Sequence, residues 1–153
     1  MNARAMKRLN LGLPNDPFSI TTSTFQATID YHGRYLLLNR ALGTALKLPA
    51  ANGSGTLITI IVQKVPTTTP FDVISTNPST DIFAGSITNA ATTGNGKLWA
   101  TGTTDNTITL NGTTTGGVSI GDQIELVDIA AGIWAVVGTI VASGTIATPF
   151  SHV

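Results

Sequence analysis

Very few side chains in this sequence are of the types that carry out catalysis. The chain has two histidines, His32 and His152, and Glu125 is its sole glutamate. A hydroxyl nucleophile needs a base beside it, and a glycosidase needs a paired acid and base. His32 stands in a turn at residues 31–34, and His152 is the penultimate residue, where chains usually fray. We therefore expect no catalytic residues and predict that the protein is not an enzyme.

The carboxylates have structural interpretations. Glu125 alternates with Ile124 and Leu126, which places it with its i±2 neighbours on the side of a strand opposite the apolar side. Asp105 and Asp122 stand at ordinary turn-forming positions. Carboxylates that meet through the fold or across a symmetry axis stay open as metal ligands.

The glycine-rich segments match no ligand-binding motif. Residues 116–122 have the composition of a calcium-binding nonapeptide repeat, but the spacing differs and only one copy is present. Residues 53–55 lead into a strand without a neighbouring lysine, whereas a phosphate loop opens a helix. Trp99 and Trp134 lie in apolar or Thr-rich strands, so we expect them to pack in the core. We predict no metal, no cofactor, no small-molecule substrate and no nucleic-acid partner.

Composition favours an all-β fold. Only 10% of the residues are charged, there is no cysteine, and 16 glycines and seven prolines interrupt the chain every few residues. Thr, Val and Ile are stiff at χ1 and fit a pleated sheet better than a helix. No window approaches the ~20 apolar residues of a membrane-spanning helix, and polar residues and prolines break up any signal-peptide core. We expect one domain, assembled in the cytoplasm without a membrane partner.

Alternating apolar and polar residues, separated by Gly and Pro turns, predict strands at a spacing typical of a sandwich or barrel. The predicted strands fall within residues 25–29, 35–39, 44–48, 56–64, 71–75, 106–111, 122–129 and 133–142, with shorter ones near 82–84 and 97–100. In the strand at 122–129 we expect Ile124, Leu126 and either Val127 or Ile129 to point inward. We predict an antiparallel β-sandwich or barrel, with a jelly roll as one possible topology.

The N-terminal segment differs from the rest of the chain. Residues 1–24 contain three of the eight basic residues, and no acidic residue precedes Asp16. We predict an extended N-terminal arm at residues 1–24 and a β-domain at residues 25–153. The arm is either a disordered tail or a segment that becomes ordered on a larger surface. In the second case its contact residues are Arg4, Lys7, Arg8, Leu9, Leu11 and Leu13.

Two stretches carry a family resemblance. Residues 33–55 read as Gly-Arg, an apolar strand, Ala-x-Gly, a strand ending in Leu-Pro-Ala-Ala, and then Gly-Ser-Gly. The C-terminal pattern runs from residues 121–126 through Trp134 to residues 144–151. Together they resemble the capsid decoration proteins of tailed bacteriophages, also called cement or head-stabilising proteins. The resemblance covers roughly residues 24–151, although residues 60–105 match only in character.

The resemblance implies a structural role in the virion. Such proteins sit on the capsid exterior, commonly as homotrimers, and brace adjacent subunits of the major capsid protein. Many weak contacts repeated by symmetry suit that task. The alternative is a phage fibre, spike or tail module that binds host-surface carbohydrate, which predicts a groove with exposed aromatic side chains. A small enzyme is the third hypothesis, for which no acid–base pair is visible.

Overall fold

Twelve β-strands and one short 3-10 turn make up the regular structure of residues 16–153, the part of the chain that the computed structural model describes. The strands are β1 (Phe18–Ile20), β2 (Thr24–Gln26), β3 (Arg34–Leu38), β4 (Thr44–Leu48), β5 (Leu57–Val62), β6 (Phe71–Ser75), β7 (Ile82–Ala91), β8 (Lys97–Ala100), β9 (Thr107–Leu110), β10 (Gln123–Ala130), β11 (Ile133–Ala142) and β12 (Phe150–Ser151). The 3-10 turn spans Ile29–Tyr31, between β2 and β3. No helix in this part of the chain is long and apolar enough to span a membrane.

The strands form two packed sheets, which confirms the predicted all-β sandwich. Sheet A has seven strands in the order β1-β3-β5-β10-β11-β7-β8. Sheet B has five strands in the order β12-β9-β6-β4-β2. The first six strands alternate between the two sheets, so each connection from β1 through β6 crosses from one sheet to the other.

The strand pairing is mixed, whereas we predicted antiparallel sheets. β1, β3 and β5 pair in parallel in sheet A, and β2, β4 and β6 do so in sheet B. β7 and β11 are parallel along all ten residues. The turns at residues 39–43 and 49–56 carry the chain to the opposite sheet, so consecutive strands do not form hairpins there. Parallel pairs also distinguish this sandwich from a jelly roll, whose strands are antiparallel.

The core lies between the sheets and is mainly aliphatic, with Phe71, Phe83, Trp134 and Phe150 among its buried side chains. Sheet A contributes alternate residues such as Leu36, Ile60 and Leu126, and sheet B contributes Leu46 and Val73, all with at most 1% of their surface exposed. Trp134 is fully buried, as predicted, and its indole N–H donates to the carbonyl of Pro49 at 3.3 Å.

An aromatic cluster closes one edge of the sandwich. The rings of Phe18, Phe25 and Tyr31 have centroids 5.2–5.4 Å apart. They come from sheet A, sheet B and the 3-10 turn, so the cluster ties the two sheets together at β1 and β2. The guanidinium of Arg34 stacks over Phe18 and Tyr31, at 5.9 and 5.6 Å from their centroids.

Three segments differ from the predicted strands. The strand expected at residues 25–29 ends at Gln26, because the chain turns to bring Tyr31 into the aromatic cluster, and Ile29 is 60% exposed. β7 extends over ten residues, since it pairs with β11 along its whole length. β1 and the start of β2 lie within residues 18–24, which we had assigned to the arm, and both pair with body strands.

Candidate interaction surface

Asp128 is one of the most densely hydrogen-bonded side chains in the described structure, together with Asn106. Alternation with Ile124 and Leu126 turns Asp128 inward, where it is 1% exposed. Its carboxylate accepts the backbone N–H groups of residues 52–54 at 2.8–3.1 Å and the hydroxyl of Ser54 at 2.7 Å. Burial alone would raise the pKa of Asp128, but the hydrogen bonds from Ser54 and the neighbouring backbone outweigh it and lower that pKa. Asp128 therefore anchors the loop at residues 52–54 to β10.

The inward position of Asp128 shows that our prediction of which β10 side chains point into the core was partly wrong. We expected Val127 or Ile129 to point inward, but Val127 is half-buried on the outer side and Ile129 is 55% exposed. Strict alternation from Ile124 and Leu126 would have identified position 128 as inward. A carboxylate is tolerated there because the loop supplies its hydrogen-bond donors.

Two further buried aspartates also anchor loops. Asp122 accepts the N–H groups of Gly117 at 2.8 Å and Val141 at 3.0 Å, which fixes the loop before β10 onto β11. Burial raises the pKa of Asp122, and these backbone hydrogen bonds offset the effect only in part. Asp81 accepts the N–H of Ala51 at 3.0 Å and the hydroxyl of Ser75 at 2.5 Å. All three carboxylates have structural partners.

The two histidines likewise make structural hydrogen bonds. Nδ1 of His32 accepts the backbone N–H of Leu57 at 3.0 Å. Nδ1 of His152 lies 2.8 Å from the carbonyl oxygen of Thr104 and 3.0 Å from the amide nitrogen of Asn106, so the C-terminus is held where we expected fraying. Residues 16–153 contain no group of three or more His, Asp or Glu side chains that could hold a metal ion.

The outer face of sheet A is unusually apolar. Alternate residues of its strands point away from the core, and they include Tyr35, Leu37, Ile61, Val127, Val137 and Leu98. Val137 is 58% exposed and Leu98 is 68% exposed. Glu125 is the one charged side chain among the outward-pointing residues of these seven strands. With strands about 4.8 Å apart, the face is roughly 30 Å wide.

The outer face of sheet B is polar by comparison. It presents Thr24, Gln26 and Lys47, and the carboxylate of Asp72 accepts the hydroxyl of Thr109 at 2.7 Å. A protein surface patch that is apolar, broad and nearly free of charge marks an interaction site. The contrast therefore assigns the candidate interaction surface to sheet A.

An open groove of about 520 Å³ lies on this surface, along β10 and β11. Its walls include Ile120, Val137 and Val141, and Ile120 is 71% exposed. Glu125 also lines the groove and, as predicted, points away from the core. No aromatic side chain lines it.

The candidate contact residues of the arm lie outside the described part of the chain. These are Arg4, Lys7, Arg8, Leu9, Leu11 and Leu13. The first described residue is Asp16, whose carbonyl accepts the Nε–H of Arg34 at 3.1 Å. The described chain therefore begins next to β1, the edge strand of sheet A.

Trp99 occupies an intermediate position. It packs partly buried against the edge of the core, and the ammonium of Lys97 stands 5.2 Å above its ring. Its indole N–H and the side-chain amide of the fully buried Asn89 have no hydrogen-bond partner within the described structure.

Comparison of the chain with protein-family models, with curated proteins and with solved structures found no match.

Proposed function

We propose that this chain is a structural virion protein that binds the outer surface of a tailed-phage capsid and stabilises it by bridging subunits of the major capsid protein. In this role it is a non-enzymatic homotrimer on the capsid exterior. The family and the trimeric state come from the resemblance of residues 33–55 and 121–151. The capsid and the other subunits are protein surfaces, so the proposal requires a broad protein-binding face.

The apolar outer face of sheet A is the observation that carries the proposal. Specific protein–protein interfaces bury about 800 Å² on each partner, and a face roughly 30 Å wide with strands of up to ten residues offers that area. Glu125 is the one charged side chain among the outward-pointing residues of the seven strands, so contact desolvates little charge. Leu98 and Tyr35 are spread across the face and give it exposed hydrophobic anchors.

Co-sedimentation with purified expanded capsids of its own phage tests the proposal. The wild-type chain is expected to sediment with the capsids. We expect Leu98→Glu to weaken binding about tenfold or more, because it places a charge in an apolar contact. Thr24→Glu makes the same charge change on the outer face of sheet B and is the matched control. The solution mass of each variant shows whether a loss of binding follows from a loss of the trimer.

The outcomes separate the parts of the proposal. If the wild-type chain stays in the supernatant, the proposed function is wrong. If Leu98→Glu binds as well as Thr24→Glu, the outer face of sheet A is not the contact. Deletion of residues 2–15 leaves β1 intact and tests the arm alone. The carbohydrate-binding alternative is less well supported, because the groove has no aromatic lining.

A further inference from the structure

Three Asn-Gly dipeptides occur in the chain, at residues 52–53, 95–96 and 111–112. In such a dipeptide the backbone nitrogen of the glycine can attack the side-chain amide carbon of the asparagine without the help of an enzyme. Glycine is the most permissive residue at the attacking position, because it has no Cβ to hinder the approach. Both groups must be free to meet, so the hydrogen bonds around each dipeptide decide whether it reacts.

The first dipeptide is held by the buried carboxylate of Asp128. The N–H of Gly53 donates to this carboxylate at 2.8 Å, and the N–H of Asn52 donates to it at 3.1 Å. Asn52 also forms an isolated antiparallel bridge with Ala131. The attacking nitrogen of Gly53 therefore points at Asp128, and the loop must open before this nitrogen can reach the side chain of Asn52.

The third dipeptide is held at both of its reacting groups. The N–H of Gly112 donates to the carbonyl of Gly116 at 2.9 Å. Oδ1 of Asn111 accepts the N–H groups of residues 113 and 115 at 2.9 and 3.1 Å, and its Nδ2 donates to the hydroxyl of Thr114 at 3.1 Å. Attack on this amide requires these hydrogen bonds to break together.

The second dipeptide, Asn95 and Gly96, lies in the exposed loop between β7 and β8. Within the described residues, the side chain of Asn95 and the N–H of Gly96 make no hydrogen bond. The N–H of Thr101 donates to the carbonyl of Gly85, and N–H groups alternate in direction along an antiparallel strand, so the N–H of residue 96 faces away from β7. The loop is also loosely packed, since an added Cβ at Gly94 would meet no described atom within 4 Å.

We propose that Asn95 is a site of spontaneous deamidation in the folded protein, and that the fold protects Asn52 and Asn111 from the same reaction. The nitrogen of Gly96 forms a bond to Cγ of Asn95 as the bond from Cγ to Nδ2 breaks. The proton of the Gly96 N–H leaves with the side-chain nitrogen as ammonia, and a succinimide ring remains. Water then opens the ring at either carbonyl, which yields aspartate or isoaspartate at position 95.

The product adds charge at the edge of the candidate interaction surface. The chain carries eight basic and eight acidic residues, so the conversion gives it one net negative charge. The new carboxylate lies two residues from Lys97, whose ammonium stands 5.2 Å above the ring of Trp99. The same edge strand, β8, carries the exposed Leu98. The reaction therefore places a charge beside this strand after the chain has folded.

Incubation of the folded, full-length protein at mildly alkaline pH tests the proposal. Ion-exchange chromatography separates the product by its added charge, and mass spectrometry of proteolytic peptides locates the converted residue. We expect Asn95 to be converted at least about tenfold faster than Asn52 or Asn111, the ratio that a local opening free energy of about 1.4 kcal/mol produces. Asn95→Gln is the control variant, because glutamine has to close a larger ring, and it should keep its original charge over the same period.

The same measurement on the unfolded chain separates the effect of the fold from that of the local sequence. In concentrated urea the hydrogen bonds around Asn52 and Asn111 are lost, so the three dipeptides should react at similar rates. An advantage of Asn95 that persists in urea, or equal rates at the three sites in the folded protein, overturns the proposal. Charge gained by Asn95→Gln as fast as by the wild type overturns it as well. None of these outcomes depends on capsid binding, so they leave the proposed function to its own test.

Discussion

Replacing Asp128 by asparagine tests whether one buried carboxylate holds the loop at residues 52–54 against sheet A. The carboxylate accepts three backbone N–H groups from this loop and the hydroxyl of Ser54. Asparagine has the same shape, but its amide nitrogen is a donor. Whichever way the amide turns, it faces at least one backbone N–H that then has no acceptor.

The expected magnitude follows from the number of hydrogen bonds lost. A buried donor without an acceptor costs about 1–3 kcal/mol, and the remaining hydrogen bonds weaken because they lose their charge assistance. We expect Asp128→Asn to lower the free energy of unfolding at pH 7 by about 2–4 kcal/mol. For a domain of this size the melting temperature would fall by roughly 5–15 °C. Asp72→Asn is the control, since Asp72 is half-exposed and accepts one hydroxyl.

The pH dependence gives an independent check. Since the pKa of Asp128 is lowered, the folded protein releases this proton at a lower pH than the unfolded chain. The carboxylate therefore stabilises the fold fully above the ordinary aspartate pKa of about 3.9, and this stabilisation is lost as the pH falls through the folded value. Urea unfolding of both proteins should show a gap at pH 7 that shrinks at about pH 3. Equal stability at pH 7, or a gap that does not change with pH, would refute the reasoning.

Three further changes probe separate features of the fold. The pKa of Asp122 is raised, so the stability of the wild type relative to Asp122→Asn should fall as the pH rises above about 3.9, measured by the same urea titration. Gly85 has φ 149°, and an added Cβ would lie 1.9 Å from the carbonyl oxygen of Val136. Gly85→Ala should therefore lower the free energy of unfolding by at least about 2 kcal/mol. Gly94→Ala is the control, because a Cβ there meets no atom within 4 Å, and it should lower the free energy of unfolding by about 1 kcal/mol. Asn89→Leu should raise the melting temperature, because it removes a buried amide without a partner; a lower melting temperature would show that the amide is bonded.

The sequence predicts the positions of the strands better than it predicts which strands pair with each other. The predicted segments coincide with the observed bounds of β4, β6 and β11. Alternation identifies β4, because a half-buried strand must alternate, whereas β11 is recognised as a long apolar run that follows a turn. The turns between β3 and β4 and between β4 and β5 have the glycines and prolines of hairpin turns, yet they cross to the opposite sheet. A turn motif specifies a local change of direction, whereas the choice of partner strand depends on contacts between distant residues.

The candidate interaction surface could not be predicted from the sequence for the same reason, because it depends on which strands lie side by side. Val137 lies in an apolar run that reads as a strand buried on both faces, and no local signal marks it as exposed. Only the assembled order of sheet A shows that it lies with Leu37 and Val127 on an uncovered face. For Asp128 the local pattern was sufficient, but hydrophobicity favoured Val127 or Ile129, since the donors that compensate its burial lie more than 70 residues away.

The alternation of β1 to β6 between the two sheets has a consequence for how the chain folds. Neither sheet can be completed while the other is absent, because each new strand in one sheet follows a strand in the other. Folds dominated by such non-local pairing form slowly, in milliseconds to seconds. We therefore expect that neither sheet forms a separate folding unit, so β1 to β6 should acquire protection from hydrogen exchange together and lose it in one cooperative step.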